Sequence, residues 1–268
     1  MLDPAHHCFM VPAYGESPHL SACLESLAAQ TVKTAILIAT STPNDHIRRV
    51  ADQHGVAVRI NPHRGGIGSD WNFALQSATA PWVTLAHQDD LYLPQFASRT
   101  LQALAQYPAA VLAFTGYEEI QANRVRPVST LIRIKLALLE LGFVGGSRAS
   151  TRFFKTNALR FGCAIACPAV TVNRDATGLR FRTDLKVDLD WAAWLELARK
   201  PGDFVHVRGA LMQHRIHAES ETSAGIGAGH RLAEDELLLR SLWPDPIARA
   251  ITATYRIAYR SNEVPTEP

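Results

Sequence analysis

Charge of one sign is what this sequence most plainly lacks. Its 27 lysines and arginines nearly balance 25 acids over 268 residues, leaving a net charge of +2. That balance argues against a nucleic-acid footprint, and no aromatic-plus-basic stripe stands out. Cysteine is scarce as well: Cys8, Cys23, Cys163 and Cys167. The Cys163-x3-Cys167 spacing lacks a second pair, so neither a structural zinc site nor a disulfide framework is expected, and the four read as free thiols. No run of about 18 apolar residues occurs, so no transmembrane helix is expected. Residues 1–7 carry no basic region followed by an apolar core, so they do not read as a signal peptide. His6 and His7 read as part of a frayed terminus. Internal repeats and low-complexity segments are missing.

What is present is a core-forming composition, with 47% hydrophobic and 19% charged residues, enough for one large domain or two small ones. Short buried-strand patterns alternate with helical spacings. Strands are expected over residues 8–12, 35–40, 56–60, 82–86 and 110–115, with helices over 18–31, 45–54, 69–75 and 94–107. Such alternation predicts an α/β fold with a mostly parallel sheet and helices on both faces. Ligands then bind beyond the carboxyl ends of the strands. The second half is less regular. Residues 116–160 read as loop, helix and loop, with Glu118 and Glu119 in a solvated turn. A helix runs to about Arg199, strands follow over 204–207 and 211–217, and helices over 234–242 and 246–260 close the chain. The stretch 131–141 is an amphipathic helix whose three charges sit along one side. It suits core packing or a partner surface, with peripheral membrane contact as a further use.

The most informative segment is Trp82-Val83-Thr84-Leu85-Ala86-His87-Gln88-Asp89-Asp90-Leu91-Tyr92. A β-branched, apolar run ends in two adjacent carboxylates. Two like charges at the end of a buried strand are costly unless a positive group lies near them. A hard divalent cation such as Mg²⁺ or Mn²⁺ prefers carboxylate oxygens and keeps open positions for phosphate. The segment therefore predicts a metal–diphosphate site. The glycine-rich loop Gly65-Gly66-Ile67-Gly68 is a phosphate signal or a plain turn. A second acidic group, Asp188-Leu189-Asp190-Trp191, opens a helix. There the acids are either functional or first-turn residues favoured by the helix dipole.

With these residues in hand, the chain resembles family-2 glycosyltransferases. Val11-Pro12-Ala13-Tyr14-Gly15-Glu16 with the segment 24–31 resembles the family's opening. His87-Gln88-Asp89-Asp90 stands at its aspartate-rich metal motif, Asp188-Leu189-Asp190-Trp191 at its acceptor-side acidic motif, and His214-Arg215-Ile216-His217 through Thr222 at its late arginine-x-histidine motif. The resemblance runs from about residue 9 to 223, in the family's order. It implies a GT-A-type, Rossmann-like sandwich with a C-terminal helical extension. The nucleotide-sugar subdomain would span 1–115, the acceptor subdomain 116–223 and the extension 224–268.

It also implies inverting transfer from a nucleoside-diphosphate sugar to a carbohydrate or lipid-linked acceptor, in bacterial surface polysaccharide or glycoconjugate synthesis. The setting would be cytoplasmic, at the inner face of the membrane in one version. Pro12, Tyr14 and Glu16 would line the base and ribose, with Thr40, Asp70, Asn72 and Arg215 also on the nucleotide-sugar. Asp89 would contact the ribose or metal-bound waters, or the metal itself. Asp90 would hold Mg²⁺ or Mn²⁺ against the diphosphate, and His217 would close on the metal or the diphosphate. Asp188 would be the base that accepts the acceptor hydroxyl proton, with Asp190 in reserve. His214 reads as structural. Two departures stand out: Thr40 occupies the end of the second strand, where the family commonly has an aspartate, and His87 opens the metal motif in place of one. Two other readings compete. Ala86-His87-Gln88-Asp89-Asp90 is close to a signature of zinc-dependent sugar N-deacetylases, and a non-catalytic nucleotide-sugar-binding protein would keep the same fold.

Overall fold

A computed structural model describes residues 1–217 and 230–261 of the chain. The first half follows the expected alternation. Strands β1 (His7–Pro12), β2 (Ala35–Thr40), β3 (Ala57–Ile60) and β4 (Trp82–Leu85) alternate with helices α1 (Leu20–Ala28), α2 (Asp45–His54) and α3 (Ile67–Ser77). The short β5 (Leu91–Tyr92) and α4 (Phe96–Gln106) follow. Local chemistry sets the ends of α2. Asn44 caps its start by accepting from Ile47 N, and Gly55 closes it in the left-handed conformation.

The second half holds β6 (Ala110–Gln121), β7 (Arg124–Val125), α5 (Thr130–Phe143), β8 (Arg148–Ala149), α6 (Arg152–Asn157), β9 (Val170–Asn173), α7 (Arg174–Thr177), α8 (Leu189–Arg199) and β10 (Asp203–Arg215). Helices α9 (His230–Arg240) and α10 (Asp245–Ser261) close the described chain.

All strands join one sheet in the order β3-β2-β1-β4-β9-β6-β10-β5, with β7 on β6 and β8 on β10. The β1, β2, β3 and β4 pairings are parallel, as is β6 with β10, while β9 runs antiparallel between β4 and β6. Two apolar layers sandwich the sheet. Phe9 and Val11 of β1 pack with Leu20, Leu24 and Phe96 on one face; Cys8 and Met10 pack with Trp71, Trp191 and Trp194 on the other. Both faces are covered, so the central strands read as near-continuous apolar runs.

Several expectations need correction. Glu118 and Glu119 are not in a turn. They lie in β6, which runs on to Gln121 because β10 pairs with it throughout; Gln213 Nε2 donates to Glu118, and Arg126 pairs with Glu119. The two strands expected over 204–217 are one strand, β10, whose register slips between Val207 and Met212. Gly209 sits in that irregularity at φ +100°, and a Cβ on the facing Gly116 would come within 3.0 Å of its carbonyl oxygen. His7 is not frayed but buried in β1, its ring nitrogens bonded to Thr34 and Thr84, and burial depresses its pKa to about 3. The charges of the 131–141 stretch do not share a side: Arg133 and Glu140 face outward, while Lys135 turns inward over the Tyr255 ring. The cysteines are free, as expected. Among the described residues no helix is long and apolar enough to cross a membrane.

Candidate active site

The residues singled out come together at the carboxyl ends of β1 and β4 and the end of β10. After Leu85 the chain makes a tight turn, with Asp90 N–H donating to the His87 carbonyl. β5 then returns against β10 through Met212 and Gln213. This pairing sets the acidic turn beside His214, Arg215 and His217. Asp90 is completely buried. Its Oδ1 accepts from the Arg215 backbone N–H at 2.9 Å and meets His214 Nδ1 at 3.0 Å. Burial opposes a charge on His214, but the Asp90 carboxylate overrides it and lifts the pKa to about 9. His214 is therefore the counter-charge of Asp90. Arg215 donates to the Asp89 carbonyl at 2.9 Å and to Asn123 Oδ1 at 2.8 Å, so its guanidinium clamps the turn. Asn123 reaches it from the β6–β7 hairpin, where Ala122 and Asn123 both adopt positive φ.

Asp89 faces the other way. Its Oδ2 lies 2.8 Å from His217 Nε2. Burial would raise its pKa, yet His87, His217 and His214 hold it below the usual carboxylate range. His87 packs on the Trp71 ring, and burial lowers its pKa against the pull of Asp90 and Asp89. Its Nε2 is buried without a hydrogen-bond partner among the described residues. Donor atoms of His87, Asp89 and Asp90 all lie within 4.8 Å of one another. A buried imidazole nitrogen without a partner beside an ionised carboxylate matches the donor set of a divalent ion that tolerates both nitrogen and oxygen. Residues 218–222 of the late motif lie outside the described residues.

The loop after β1 is tied to this turn. Gln88 brackets Tyr14, accepting from its N–H at 3.1 Å and donating to its carbonyl at 3.2 Å. Gly15, at φ +61°, donates to Thr42 Oγ1 and accepts from Asn44 Nδ2. The Tyr14 ring is thereby held out, exposed, with Glu16 exposed beside it and Pro12 half-buried below. Thr40 is buried, and its hydroxyl accepts from Thr42 N–H. Next to it a carboxylate is supplied from a different element: Asp70 of α3 accepts from Ser41 Oγ at 2.9 Å and from Asn61 Nδ2 at 3.0 Å. Asn72 spends both ends of its amide on the Phe181 backbone, at 2.7 and 2.9 Å, so its side chain fastens the loop entering α8. A Cβ on Gly68 would meet the Arg182 carbonyl at 2.5 Å, so only glycine admits that loop.

The loop carries the second acidic pair. Asp190 accepts from Trp191 N–H. Burial raises its pKa against the pull of Arg231, and the charges of Asp190 and His87 register on each other. Asp188 is buried on the side of α9, with Oδ1 3.6 Å from Arg231 and Oδ2 lacking a hydrogen-bond partner among the described residues. Burial, with Asp235 and Asp190 nearby, lifts its pKa to about 8 despite Arg231. Asp188 does not cap α8 with its own side chain. Glu234 of α9 instead fastens the segment leading into α8: its carboxylate accepts from the N–H groups of Lys186, Val187 and Asp188 at 2.8–2.9 Å. Sequence reasoning missed Gln88 and Glu234 and treated His214 as merely structural. Each acts through a partner 46 or more residues away, a distance no local pattern carries.

A family model described as Glycosyl transferase family 2 matches residues 8–181. No curated protein matches the chain in sequence. Among solved structures, a mannosyltransferase from Pyrobaculum calidifontis in complex with GDP-Man and Mn²⁺ superposes with a TM-score of 0.65 at 15% identity, covering 98% of this chain and 78% of that one. Residues 1–349 of TarS from S. aureus in complex with UDP-GlcNAc give 0.62 at 12% identity, covering 96% and 73%. Glucosyl-3-phosphoglycerate synthase from Mycobacterium tuberculosis, in complex with Mn²⁺ and UDP-glucose, gives 0.54 at 14%, covering 88% and 79%. At such identities the likeness speaks for the fold, and the GT-A-type sandwich expected above is the fold found.

Proposed function

The chain belongs to glycosyl transferase family 2, and from that premise we propose that it moves a sugar from a nucleoside-diphosphate donor to an acceptor hydroxyl, with inversion and with help from a divalent cation. One observation carries this reading. The partnerless Nε2 of His87 and the carboxylates of Asp89 and Asp90 lie within 4.8 Å of one another at the end of β4, with His217 bonded to Asp89 and the Tyr14 backbone tied to the same turn by Gln88. In this reading Asp89, His87 and His217 hold Mn²⁺ or Mg²⁺, and Asp90 anchors the turn from beneath through His214 and Arg215. When bound, the cation neutralises charge developing on the departing diphosphate.

The exposed Tyr14 ring offers a platform for the base, and Asp70 with Ser41 supplies the polar edge where the family has its strand-end aspartate. Asp190 takes the acceptor hydroxyl proton. The acceptor oxygen then bonds to the anomeric carbon as the carbon–oxygen bond to the diphosphate breaks on the opposite face. A carboxylate with a raised pKa is a stronger base than an ordinary one, and positioned base catalysis contributes about 10²–10⁴-fold. Asp188, turned toward Arg231, supports the loop in this account. The acceptor is a carbohydrate or lipid-linked hydroxyl, in glycoconjugate or surface polysaccharide synthesis on the cytoplasmic side. The family assignment leaves the zinc deacetylase alternative without support.

The test is a binding titration of UDP, GDP, CDP and dTDP with Mn²⁺ and with EDTA, repeated on Asp89→Asn. Tight binding of one nucleotide that needs the cation, lost in the variant only when the cation is present, is the expected result. No binding of any nucleotide, or equal binding in EDTA, would overturn it. Cation-dependent binding with no transfer or hydrolysis of any sugar would favour the non-catalytic reading.

A further inference from the structure

Helix α5 is apolar on both sides: Leu139 and Phe143 enter the core, yet large apolar side chains also face away from it. Its outward side presents Ile134, Leu136, Leu141 and, just past its end, Val144; Ile134 is 51% and Val144 74% exposed. Its one lysine, Lys135, points inward over Tyr255. Burial normally selects the opposite arrangement. The patch continues onto α6. A Cβ on Gly142 would strike the Phe154 carbonyl, so the helices touch there, and Phe153 on α6 is 65% exposed. Several large apolar side chains exposed on adjoining helices mark an interaction site.

The charge around this patch selects the partner. Residues 120–160 hold eight lysines and arginines and a single acid, Glu140; Lys155 is buried and Arg126 and Arg148 pair with Glu119 and Asp203, which leaves Arg124, Arg133 and Arg152 as exposed positive charge. Glu140 is paired with Arg208, so it does not offset the excess. Arg133 and Arg152 are exposed beside the apolar side chains. A second copy of the chain meeting this face two-fold would set arginines against arginines. An apolar face ringed by basic residues instead suits an anionic bilayer, where side chains enter the acyl boundary and arginines meet the headgroups.

The patch also lies on the flank of the candidate site. α5 starts a few residues after the hairpin whose Asn123 holds Arg215, and Lys135 senses the charge of Asp188. We propose that the outward face of α5 and α6 docks on an anionic membrane surface and presents the acceptor side of the site to lipid-linked substrates there. This deepens the functional reading above, on which the acceptor clause rests; the docking itself does not.

The experiment is co-sedimentation of the full chain with vesicles of phosphatidylcholine alone and of phosphatidylcholine with phosphatidylglycerol at about 2:1, at low and high salt. The expected result is binding to the anionic vesicles only, weakened by salt. Arg133→Gln and Arg152→Gln should each lower partitioning about fivefold, and Ile134→Gln with Leu141→Gln should abolish it. All four positions are exposed, so melting temperature should hold. Absence of vesicle binding by the wild type, equal binding to neutral vesicles, or full binding by the Ile134/Leu141 variant would overturn the proposal. Cation-dependent nucleotide binding, measured on the same samples, reads the glycosyltransferase assignment separately. Its survival alongside failed vesicle binding sinks only the docking.

Discussion

The turn after β4 and the start of α8 each carry two aspartates, Asp89 and Asp90 in one, Asp188 and Asp190 in the other, and the two pairs live in opposite surroundings. At the β4 turn three histidines and a backbone N–H crowd the carboxylates, so Asp89 sits below the usual range and Asp90 is locked. At α8 burial dominates, with one arginine to oppose it, and both aspartates are pushed upward. The first environment keeps negative charge in place, as a cation site requires. The second keeps a carboxylate ready to take a proton. Residue type alone does not separate these roles; the neighbouring groups do, and they push Asp89 and the α8 pair in opposite directions.

The largest expected effect tests the α8 side. Asp190→Asn should lower kcat for sugar transfer by about 10²–10⁴-fold while leaving nucleoside-diphosphate affinity within about twofold. Steady-state kinetics and a calorimetric titration on one preparation read both. A larger loss of kcat in Asp188→Asn would exchange the roles of the two residues.

The β4 side should answer in stability instead. Asp90→Asn strips the buried His214 of its counter-charge, and breaking a buried pair in this way costs about 3 kcal/mol or more. Asp89→Asn, on a partly exposed side chain, should cost less than about 1 kcal/mol while removing the cation dependence of nucleotide binding. Urea denaturation compares them. Equal destabilisation by the two variants would erase the distinction between an anchoring and a ligating aspartate.

Much of this was legible in the sequence, and the reason differs by region. Residues 7–115 alternate strand and helix and, the edge strand β3 apart, bury most of their strand residues, so apolar runs such as residues 35–40 announce themselves, and Asn44 and Gly55 bound α2 as their chemistry dictates. The acidic turn was legible for the same reason: it ends such a run. β9 was not, because Val170-Thr171-Val172-Asn173 is a four-residue insert between β4 and β6 with no pattern long enough to read. Nor were the partners of the site. His214 becomes the counter-ion of Asp90 only because β5 folds back on β10, and Glu234 holds the segment entering α8 only because α9 docks beside it. Asn72 matched its motif, but the structure spends its amide on holding Phe181.

The last expected effect comes from Asp188 and has a definite sign. In the folded chain burial lifts its pKa to about 8, against about 3.9 in an unfolded one. Between those values the folded state holds a proton that the unfolded state has lost. Wild-type stability therefore declines as pH rises from about 4 to 8, then levels off. An asparagine at this position cannot titrate. Asp188→Asn should match the wild type near pH 4 and melt clearly higher near pH 8, the gap widening steadily between. Thermal melts across that range decide it. If the variant is instead the weaker protein at pH 8, Asp188 is a stabilising partner of Arg231, and α8 opens on one raised carboxylate rather than two.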